Sequence, residues 1–397
     1  MLGIPKITSI DKRSVSKKLG LLLGPATLVS VAYIDPGNFG SNIAAGSRYG
    51  LDLLWVVWVS GLLAIFFQYI AGKIGIALRR SFLDLVREEL LSRGFIGRIG
   101  LRIYFLVMVV MVLATDMAEF LGIVLGLSYI LGLPLIIAMW LSVIDVFILM
   151  TLSDKRDLIE AVVGFLVGVV GLSLLYELFI VGVEPVKIIF SSLMIKETSP
   201  GELVIASSII GSTIMPHALL LHTYLTADKT LNNQDKKRLL KRHFRETIAY
   251  LSVASIINAS IQILAYYAFY KNNYFDVDMD KAYLLLTPLY GSMASAVFAL
   301  SMMASGISSS MVSVLTGQRI FETWLGKRIS TWRVRGLIRL INMIPLAVAI
   351  HLGIKPIDVL VYSQVILSIV LITVMAPITI VSSKEKYMGE LRNTKPS

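Results

Sequence analysis

The chain has 397 residues, of which 56% are hydrophobic, and its mean hydropathy is +0.77. Soluble domains are about half apolar, so this composition indicates a polytopic, all-α membrane protein. The formal net charge is +11, but Lys and Arg cluster in short loops between apolar runs, which is typical of membrane topology rather than nucleic-acid binding. The absence of cysteine excludes disulfides and thiolate-bound zinc or iron–sulfur clusters.

Ten apolar stretches of membrane-spanning length follow one another along the chain. Their approximate limits are residues 20–46, 51–78, 101–127, 130–152, 158–182, 203–226, 246–270, 283–318, 335–353 and 357–383. Basic loops alternate with loops poor in Lys and Arg, and an even number of spans then predicts that both termini are cytoplasmic. No linker is long enough to separate a soluble domain, so residues 1–397 are predicted to form a single transmembrane domain.

Polar, helix-breaking residues interrupt the first and the sixth of these stretches. The first interruption is the segment 32–38, AYIDPGN, and the second is the segment 212–217, STIMPH. Ten spans divide into two halves of five, and an odd number of spans per half makes the second half insert upside down. Breaks at corresponding positions of two inverted repeats, about 20–182 and 203–383, predict a binding site near the middle of the membrane, as in transporters.

Asp35 is the ionisable group of the first break. A charged side chain at membrane depth costs roughly 2.5 to 3.5 kcal/mol on insertion scales, so a bound cation or a proton is expected to offset the cost. Alternatively, Asp35 only caps the helix that resumes after it, since capping residues are common at such breaks. The two roles can coexist.

The breaks also supply candidate oxygen ligands. Pro36 disrupts the helix, so the carbonyl of Ala32 is expected to lose its intrahelical partner. Asn38 offers an amide oxygen, and Pro216 is expected to free a second carbonyl at residue 212 or 213. Carboxylate, amide and carbonyl oxygens alone suit hard ions such as magnesium, calcium or manganese.

Met215 changes this preference because a thioether is a soft donor. It favours manganese, iron, cobalt or cadmium over magnesium and calcium. Methionine is also an ordinary filler of gaps in a core, and the chain contains 16 of them. The position of Met215 directly before a proline in the second break is what marks it as a candidate ligand.

The third span carries two carboxylates, Asp116 and Glu119, which share one face of a helix because they are three residues apart. They either carry protons or form a structural ion pair with a basic residue such as Arg339. His217 is able to relay protons or only to form a hydrogen bond within its helix. Solvated or structural roles are predicted for four other acidic residues, Asp84, Asp145, Glu160 and Glu177.

With both breaks in view, the chain resembles the NRAMP family of divalent-metal transporters nearly from end to end. The segment 35–38, DPGN, and the segment 215–217, MPH, match the two signatures of that family in order and separation. Further agreement lies in Gln68, His222 and the segments 114–122 (ATDMAEFLG), 304–306 (ASG) and 316–318 (TGQ). Asn258 matches a polar residue of the seventh span.

The resemblance implies a LeuT-type fold, with 5+5 inverted repeats and discontinuous helices 1 and 6, and proton-coupled uptake by alternating access. It implies that the metal is bound by Asp35, Asn38, Met215, the carbonyls of Ala32 and Ser212, and, in some conformations, Gln364. The implied proton pathway consists of Asp116, Glu119, His217 and Arg339.

Three residues depart from the pattern of the family. Ser212 stands where Ala is usual, and its hydroxyl could add a donor and alter selectivity. Ile307 stands where Gln is common. Ile338 precedes Arg339 where bacterial members often carry a second Arg, so the proton pathway is expected to differ in detail.

We therefore predict a secondary transporter that imports Mn²⁺ and Fe²⁺, and also Cd²⁺ and Co²⁺, with protons across the cell membrane. Its predicted partners are these ions, protons and the lipid bilayer, with no cofactor, nucleic acid or obligatory protein partner. A sodium-coupled amino-acid transporter is the first alternative, but Asp35 would repel the substrate carboxylate. Met215 argues against a magnesium transporter. An enzyme is not predicted, because neither an activated nucleophile nor a paired-His site is present.

Overall fold

The computed structural model describes residues 31–146, 156–196, 199–231 and 235–393, and these ranges fold into helices. The helices are α1 (Pro36–Tyr49), α2 (Leu54–Leu78), α3 (Phe82–Leu91), α4 (Gly94–Leu131), α5 (Leu135–Leu141), α6 (Arg156–Val181), α7 (Pro185–Leu193), α8 (Pro200–Thr213), α9 (Pro216–Leu231), α10 (Lys236–Ala268), α11 (Met279–Tyr290), α12 (Ser292–Leu325), α13 (Thr331–His351), α14 (Pro356–Ser383) and α15 (Glu385–Met388). Short 3₁₀ turns lie at Val31–Tyr33, Tyr270–Asn272 and Gly389–Leu391.

Seven helical segments within the described ranges are long and apolar enough to cross a membrane. They are Leu54–Leu78, Gly94–Leu131, Pro200–Asp228, Lys236–Asn272, Ser292–Leu325, Thr331–His351 and Pro356–Ser383. A pair bent by 115°, Gly168–Val181 with Pro185–Leu193, makes eight if it is one span. Residues 20–30 of the predicted first span and 147–152 of the predicted fourth lie outside the described residues. The count of ten and the repeat boundaries therefore stay predictions.

The first break separates the 3₁₀ turn at Val31–Tyr33 from α1. Asp35 is extended, with φ −101° and ψ 166°, because the ring of the following proline disfavours the helical conformation for the residue before it. Pro36 then occupies the first helical position, where its missing N–H costs nothing. The Asp35 carboxylate accepts the backbone N–H of Asn38 at 2.7 Å, so Asp35 caps α1.

The second break separates α8 from α9. Ile214 closes α8 by donating its N–H to Ile210 O at 2.8 Å, and its φ of −100° and ψ of 70° turn the chain out of the helix. Pro216 begins α9, and Leu219 N donates to Met215 O at 3.1 Å. The predicted discontinuous helices are thus confirmed at both positions.

The helix α14 passes close to both breaks. A Cβ atom built on Gly211 would lie only 2.0 Å from the carbonyl oxygen of Gln364, so α8 and α14 touch through their backbones. A Cβ atom on Gly37 would lie 2.1 Å from Nε2 of the same glutamine. Small residues permit such approaches between membrane helices. The consequence is that the Gln364 side chain reaches the start of α1.

Candidate functional site

The two breaks meet at the side chain of Asn38. Its amide nitrogen donates to the Asp35 carboxylate at 2.8 Å, to the Ser212 carbonyl at 2.9 Å and, more weakly, to the Tyr33 carbonyl at 3.3 Å. These three oxygens belong to different parts of the first and second breaks, and Asp35, Asn38 and Ser212 are 0–1% exposed. The structure thus brings together three of the predicted ligand residues, around a positively polarised N–H₂ group.

The Asn38 amide points its nitrogen, and not its oxygen, at the oxygen cluster, whereas a metal ligand would have to present the oxygen. Its oxygen Oδ1 faces the hydroxyl of Thr213 at 3.4 Å, whereas its nitrogen faces the oxygen cluster. Half a turn of the amide exchanges the two atoms and presents Oδ1 to the cluster. A cation bound among these oxygens would then meet the Asp35 carboxylate, the Ser212 carbonyl and Oδ1 together.

Two buried oxygens at this place have no hydrogen-bond partner among the described residues. They are Oδ2 of Asp35 and Oε1 of Gln364. A Cβ atom on Gly37 would lie 2.9 Å from the first side chain and 2.1 Å from the second, so both side chains pack against that glycine. An unsatisfied buried acceptor costs about 1–3 kcal/mol, more when charged, and a cation offsets this cost for each such oxygen that it contacts. The donor set therefore fits a hard or borderline cation.

The remaining predicted ligands lie in the breaks themselves. Met215 and Ala32 are fully buried, Met215 between α8 and α9 and Ala32 in the 3₁₀ turn before α1. The hydroxyl of Ser212 donates to Ile209 O of its own helix at 3.1 Å, which leaves the Ser212 carbonyl as the group directed at Asn38. Whether these residues bind metal stays a prediction.

Side chains from other helices hold the remaining carbonyls of the first break. Asn258 of α10 donates to Tyr33 O at 3.0 Å, and Ser305 of α12 donates to Ile34 O at 2.7 Å. The sequence indicated Asn258 only as a matching polar residue and gave no role to Ser305. Both fix the backbone of the break, because lipid offers a freed carbonyl no hydrogen bond.

The site contains a single carboxylate. Within the described ranges, no group of three or more His, Cys, Asp or Glu side chains is arranged to hold a metal. Affinity for a divalent ion decreases as the number of charged ligands decreases. One carboxylate with neutral donors therefore suits an ion that is bound and released.

A second polar cluster, the ion network, joins α4, the segment after α5 and α13. Arg335 forms ion pairs with Asp116 and Asp145 and lies 3.8 Å from Glu119. Arg339 pairs with Asp145 and lies 3.7 Å from Asp116. All five side chains are buried. As described, three carboxylates face two guanidinium groups, so the fully ionised network carries one net negative charge and a single proton neutralises it.

Glu119 is the carboxylate of this network that is paired least closely with an arginine, at 3.8 Å from Arg335, and it is therefore the member best placed to take that proton. Its Oε2 accepts a hydrogen bond from Ser313, whereas its Oε1 is buried without a hydrogen-bond partner in the described structure. Asp116 is fully engaged, because its second oxygen accepts from Asn342 at 2.8 Å. The pair Asp116 and Glu119 thus differs in its surroundings although both share one helix face.

Sequence reasoning missed part of this network. Arg335 received no role as the first residue of the predicted span 335–353, although its spacing of four from Arg339 puts both on one helix face. Arg335 supplies a second guanidinium beside that of Arg339, although position 338 is occupied by Ile. Of the solvated or structural roles predicted for Asp145, the geometry agrees with the structural one, since Asp145 is 4% exposed and paired with both arginines. Glu177 is also buried, at 2%.

His217 lies between the breaks and the ion network. Its Nδ1 is 3.4 Å from the hydroxyl of Thr115, the neighbour of Asp116, and its Nε2 has no partner in the described structure. Its backbone oxygen accepts from Thr316 at 3.1 Å. The geometry allows both predicted roles, a proton relay and a simple hydrogen bond.

Two residues that the sequence marked only as motif positions form a polar chain from the first break. Tyr33 donates its hydroxyl to Gln68 at 2.9 Å, and the amide of Gln68 bonds the ring of His222. The His222 ring lies 4.8 Å from that of His243. This chain ties the first break to α2, α9 and α10.

A family model described as Natural resistance-associated macrophage protein-like, Nramp, matches residues 26–397. The chain belongs to the Nramp family. Among its relatives is the divalent metal cation transporter MntH of Granulibacter bethesdensis, which is 39% identical over 391 residues, 97% of this chain and 86% of that protein. The resemblance stated from the motifs is therefore confirmed.

Solved structures agree with this membership. A manganese transporter of Eremococcus coleocola has a TM-score of 0.84 and 27% identity to this Nramp chain, and the alignment covers 100% of this chain and 85% of that one. The protein MhsT, solved in complex with L-phenylalanine, is only 14% identical but has a TM-score of 0.62 over 94% of this chain and 92% of its own. The latter likeness concerns the fold alone, and the LeuT-type fold expected from the sequence is confirmed.

Removal of Arg335 tests the energetic weight of the ion network in this Nramp protein. Arg335→Ala leaves buried carboxylates without their main counter-ion, and we expect a loss of roughly 3–5 kcal/mol in unfolding free energy. Arg333→Ala, on the same helix but exposed, is the matched control and should change little. Unfolding of both variants in detergent measures the difference, and equal stability would contradict a structural network.

Proposed function

We propose that this Nramp protein imports divalent transition-metal ions across the cell membrane together with protons, by alternating access, with both termini cytoplasmic. The proposed cargo is Mn²⁺ and Fe²⁺, and also Cd²⁺ and Co²⁺. The observation that carries the proposal is the unpartnered Oδ2 of Asp35, buried where the two helix breaks meet. The name of the relative from Granulibacter bethesdensis, a divalent metal cation transporter, supports the class of cargo.

In this proposal the metal lies at a position among the oxygens to which the Asn38 amide nitrogen now donates, and the turned amide presents Oδ1 to it. Asp35 supplies the charge, and the Ser212 carbonyl, which already faces this position at 2.9 Å from the nitrogen, supplies a neutral oxygen. Gln364 adds an oxygen without a present partner. The Ala32 carbonyl and the thioether of Met215 complete the proposed shell, and the thioether biases it toward softer ions.

The proposed coupling ion is a proton that binds apart from the metal. The ion network carries one uncompensated negative charge when ionised, and Glu119 offers a free oxygen for a proton. His217 contacts Thr115 at 3.4 Å and so adjoins both the metal site and the network. Asp116 and Arg339 are proposed to form the rest of the pathway.

Uptake into proteoliposomes tests the proposal directly. We expect Mn²⁺ entry with acidification of the lumen when the outside is acidic, and little inhibition by excess Ca²⁺ or Mg²⁺. Asp35→Asn should reduce Mn²⁺ binding and uptake at least tenfold, since it removes the only carboxylate among the proposed ligands. Asp52→Asn, in an exposed loop, is the control. Amino-acid binding by calorimetry without Mn²⁺ binding would refute the proposal.

Met215→Ala tests the soft ligand. We expect Cd²⁺ and Mn²⁺ to lose their advantage over Ca²⁺ by about tenfold, since only the thioether discriminates by softness. Competition of these ions for Mn²⁺ uptake measures the effect, with Met343→Ala on α13 as a control for loss of a buried methionine. Unchanged selectivity would leave Met215 as a packing residue.

Asp116→Asn tests the proton pathway. We expect metal uptake to persist with a weaker dependence on pH or a smaller proton flux, because one carboxylate of the ion network becomes neutral. Internal pH and Mn²⁺ entry are recorded together, and Asp84→Asn, an exposed change on α3, serves as control. Undiminished acidification in Asp116→Asn would direct attention to Asp35 and His217.

A further inference from the structure

An ion-pair cluster joins the far ends of two helices that carry site residues. Arg48, in the last turn of α1, pairs through Nε with Asp276 Oδ1 at 2.7 Å and through Nη2 with Asp358 Oδ1 at 2.9 Å. Lys355, which precedes α14, pairs with the other oxygen of Asp276 at 2.6 Å. Asp276 lies in the loop between α10 and α11, so one carboxylate bridges α1 and α14.

The loop around Asp276 is held in an unusual backbone conformation. Asp276 has φ +52° and Asn273 has φ +63°, the left-handed region that side chains other than glycine seldom occupy. Such a conformation persists where the surrounding contacts enforce it. Burial raises the pKa of Asp276, but the hydrogen bond from Lys355 and the charge of Arg48 outweigh it, so its pKa lies below the ordinary value. The bridging group is therefore an ionised carboxylate near neutral pH.

The same loop and the helix that follows it are anchored to further elements. Asp278 accepts the N–H of Ile357 at 3.0 Å, which adds a second tie to α14. The hydroxyl of Tyr129, at the end of α4, donates to Asp280 at 2.8 Å. The loop thus contacts α1 and α14, and the helix α11 that follows it contacts α4.

The bridged helices are the ones that would have to separate to open the site on this side. Arg48 stands about 20 Å along α1 from Asp35, and Asp358 about 9 Å along α14 from Gln364, at 1.5 Å per residue. Any movement of α1 away from α14 at this end breaks the pairs to Asp276 or carries the loop along. The side chains are partly exposed, 21% for Arg48 and 50% for Asp276, so the pairs can be broken and remade.

We infer that Asp276 is a gating residue, whose carboxylate latches α1 to α14 and keeps the site closed toward the face that bears this loop. The inference rests on the proposed transport function and adds to it the group that must be released before cargo enters. The latch consists of Arg48, Asp276, Lys355 and Asp358.

The absence of cysteine from the chain makes a direct test possible. Ser208 lies on α8, its side chain contacts Ser41 of α1, and it is fully buried between these two helices. Ser208→Cys introduces one thiol of nearly the same size. Its rate of modification by a charged, membrane-impermeant thiol reagent, without metal or ion gradients, reports how often this side opens.

Asp276→Asn in the Ser208→Cys background removes the charge and keeps the size, and asparagine tolerates the left-handed backbone as well as aspartate does. We expect modification to become about three- to tenfold faster, as for the loss of two partly exposed ion pairs. Glu184→Gln is the matched control, because its pair with Lys271 is also 2.7 Å long and exposed but involves neither α1 nor α14. It should leave the rate unchanged.

Salt gives an independent measurement. Raising the ionic strength should speed modification in the wild-type background and have a smaller effect in Asp276→Asn, because only the pair between Arg48 and Asp358 remains there to be screened. Lys355→Gln, which breaks only one of the pairs, should be intermediate. An Asp276→Asn protein that unfolds at the wild-type temperature, yet is modified at the wild-type rate at all salt concentrations, would overturn the latch. Since the thiol assay needs no cargo, a failure of metal uptake would refute the proposed function and leave the latch result standing.

Discussion

Backbone groups that a helix break exposes inside a membrane must be satisfied by the protein, because lipid offers no hydrogen bonds. This constraint determines the arrangement around both breaks. Asn38, Asn258 and Ser305 hold the carbonyls of Tyr33, Ile34 and Ser212. The oxygens that remain unpartnered among the described residues there include Asp35 Oδ2 and Gln364 Oε1. The groups that stabilise the breaks therefore also leave an oxygen-rich position with one negative charge.

Charge is divided between two places that share helices but differ in composition. The breaks hold one carboxylate and neutral donors, whereas the ion network holds three carboxylates and two arginines among the described residues. A divalent cation and a proton are thus offered different environments. Thr115 and His217 lie between them. A metal ion and a proton need separate positions if they are to bind together without competing for one carboxylate. This separation is the physical basis of the proposed symport.

Close helix packing sets how such a structure can move. α8 and α14 touch through backbone atoms at Gly211, so they are expected to move as one body. The half-helix α1 is joined to α14 by ion pairs that are partly exposed. A tight backbone contact resists separation, whereas exposed ion pairs break and re-form readily. Opening is therefore expected at the ion pairs between α1 and α14.

The sequence by itself determined the membrane class, the discontinuous helices and the closeness of Asp35 to Asn38. Each of these depends on composition or on residues within one turn, such as a proline after an aspartate. Only the tertiary structure decided that Asn38 presents its nitrogen to the oxygen cluster, that the Ser212 hydroxyl turns back onto its own helix, and that Arg335 joins Asp116 to Asp145. Contacts between spans far apart in sequence fix these arrangements. Hydropathy and spacing along one helix carry no information about which distant helix faces it, so the partners of a buried charge emerge only when the helices pack.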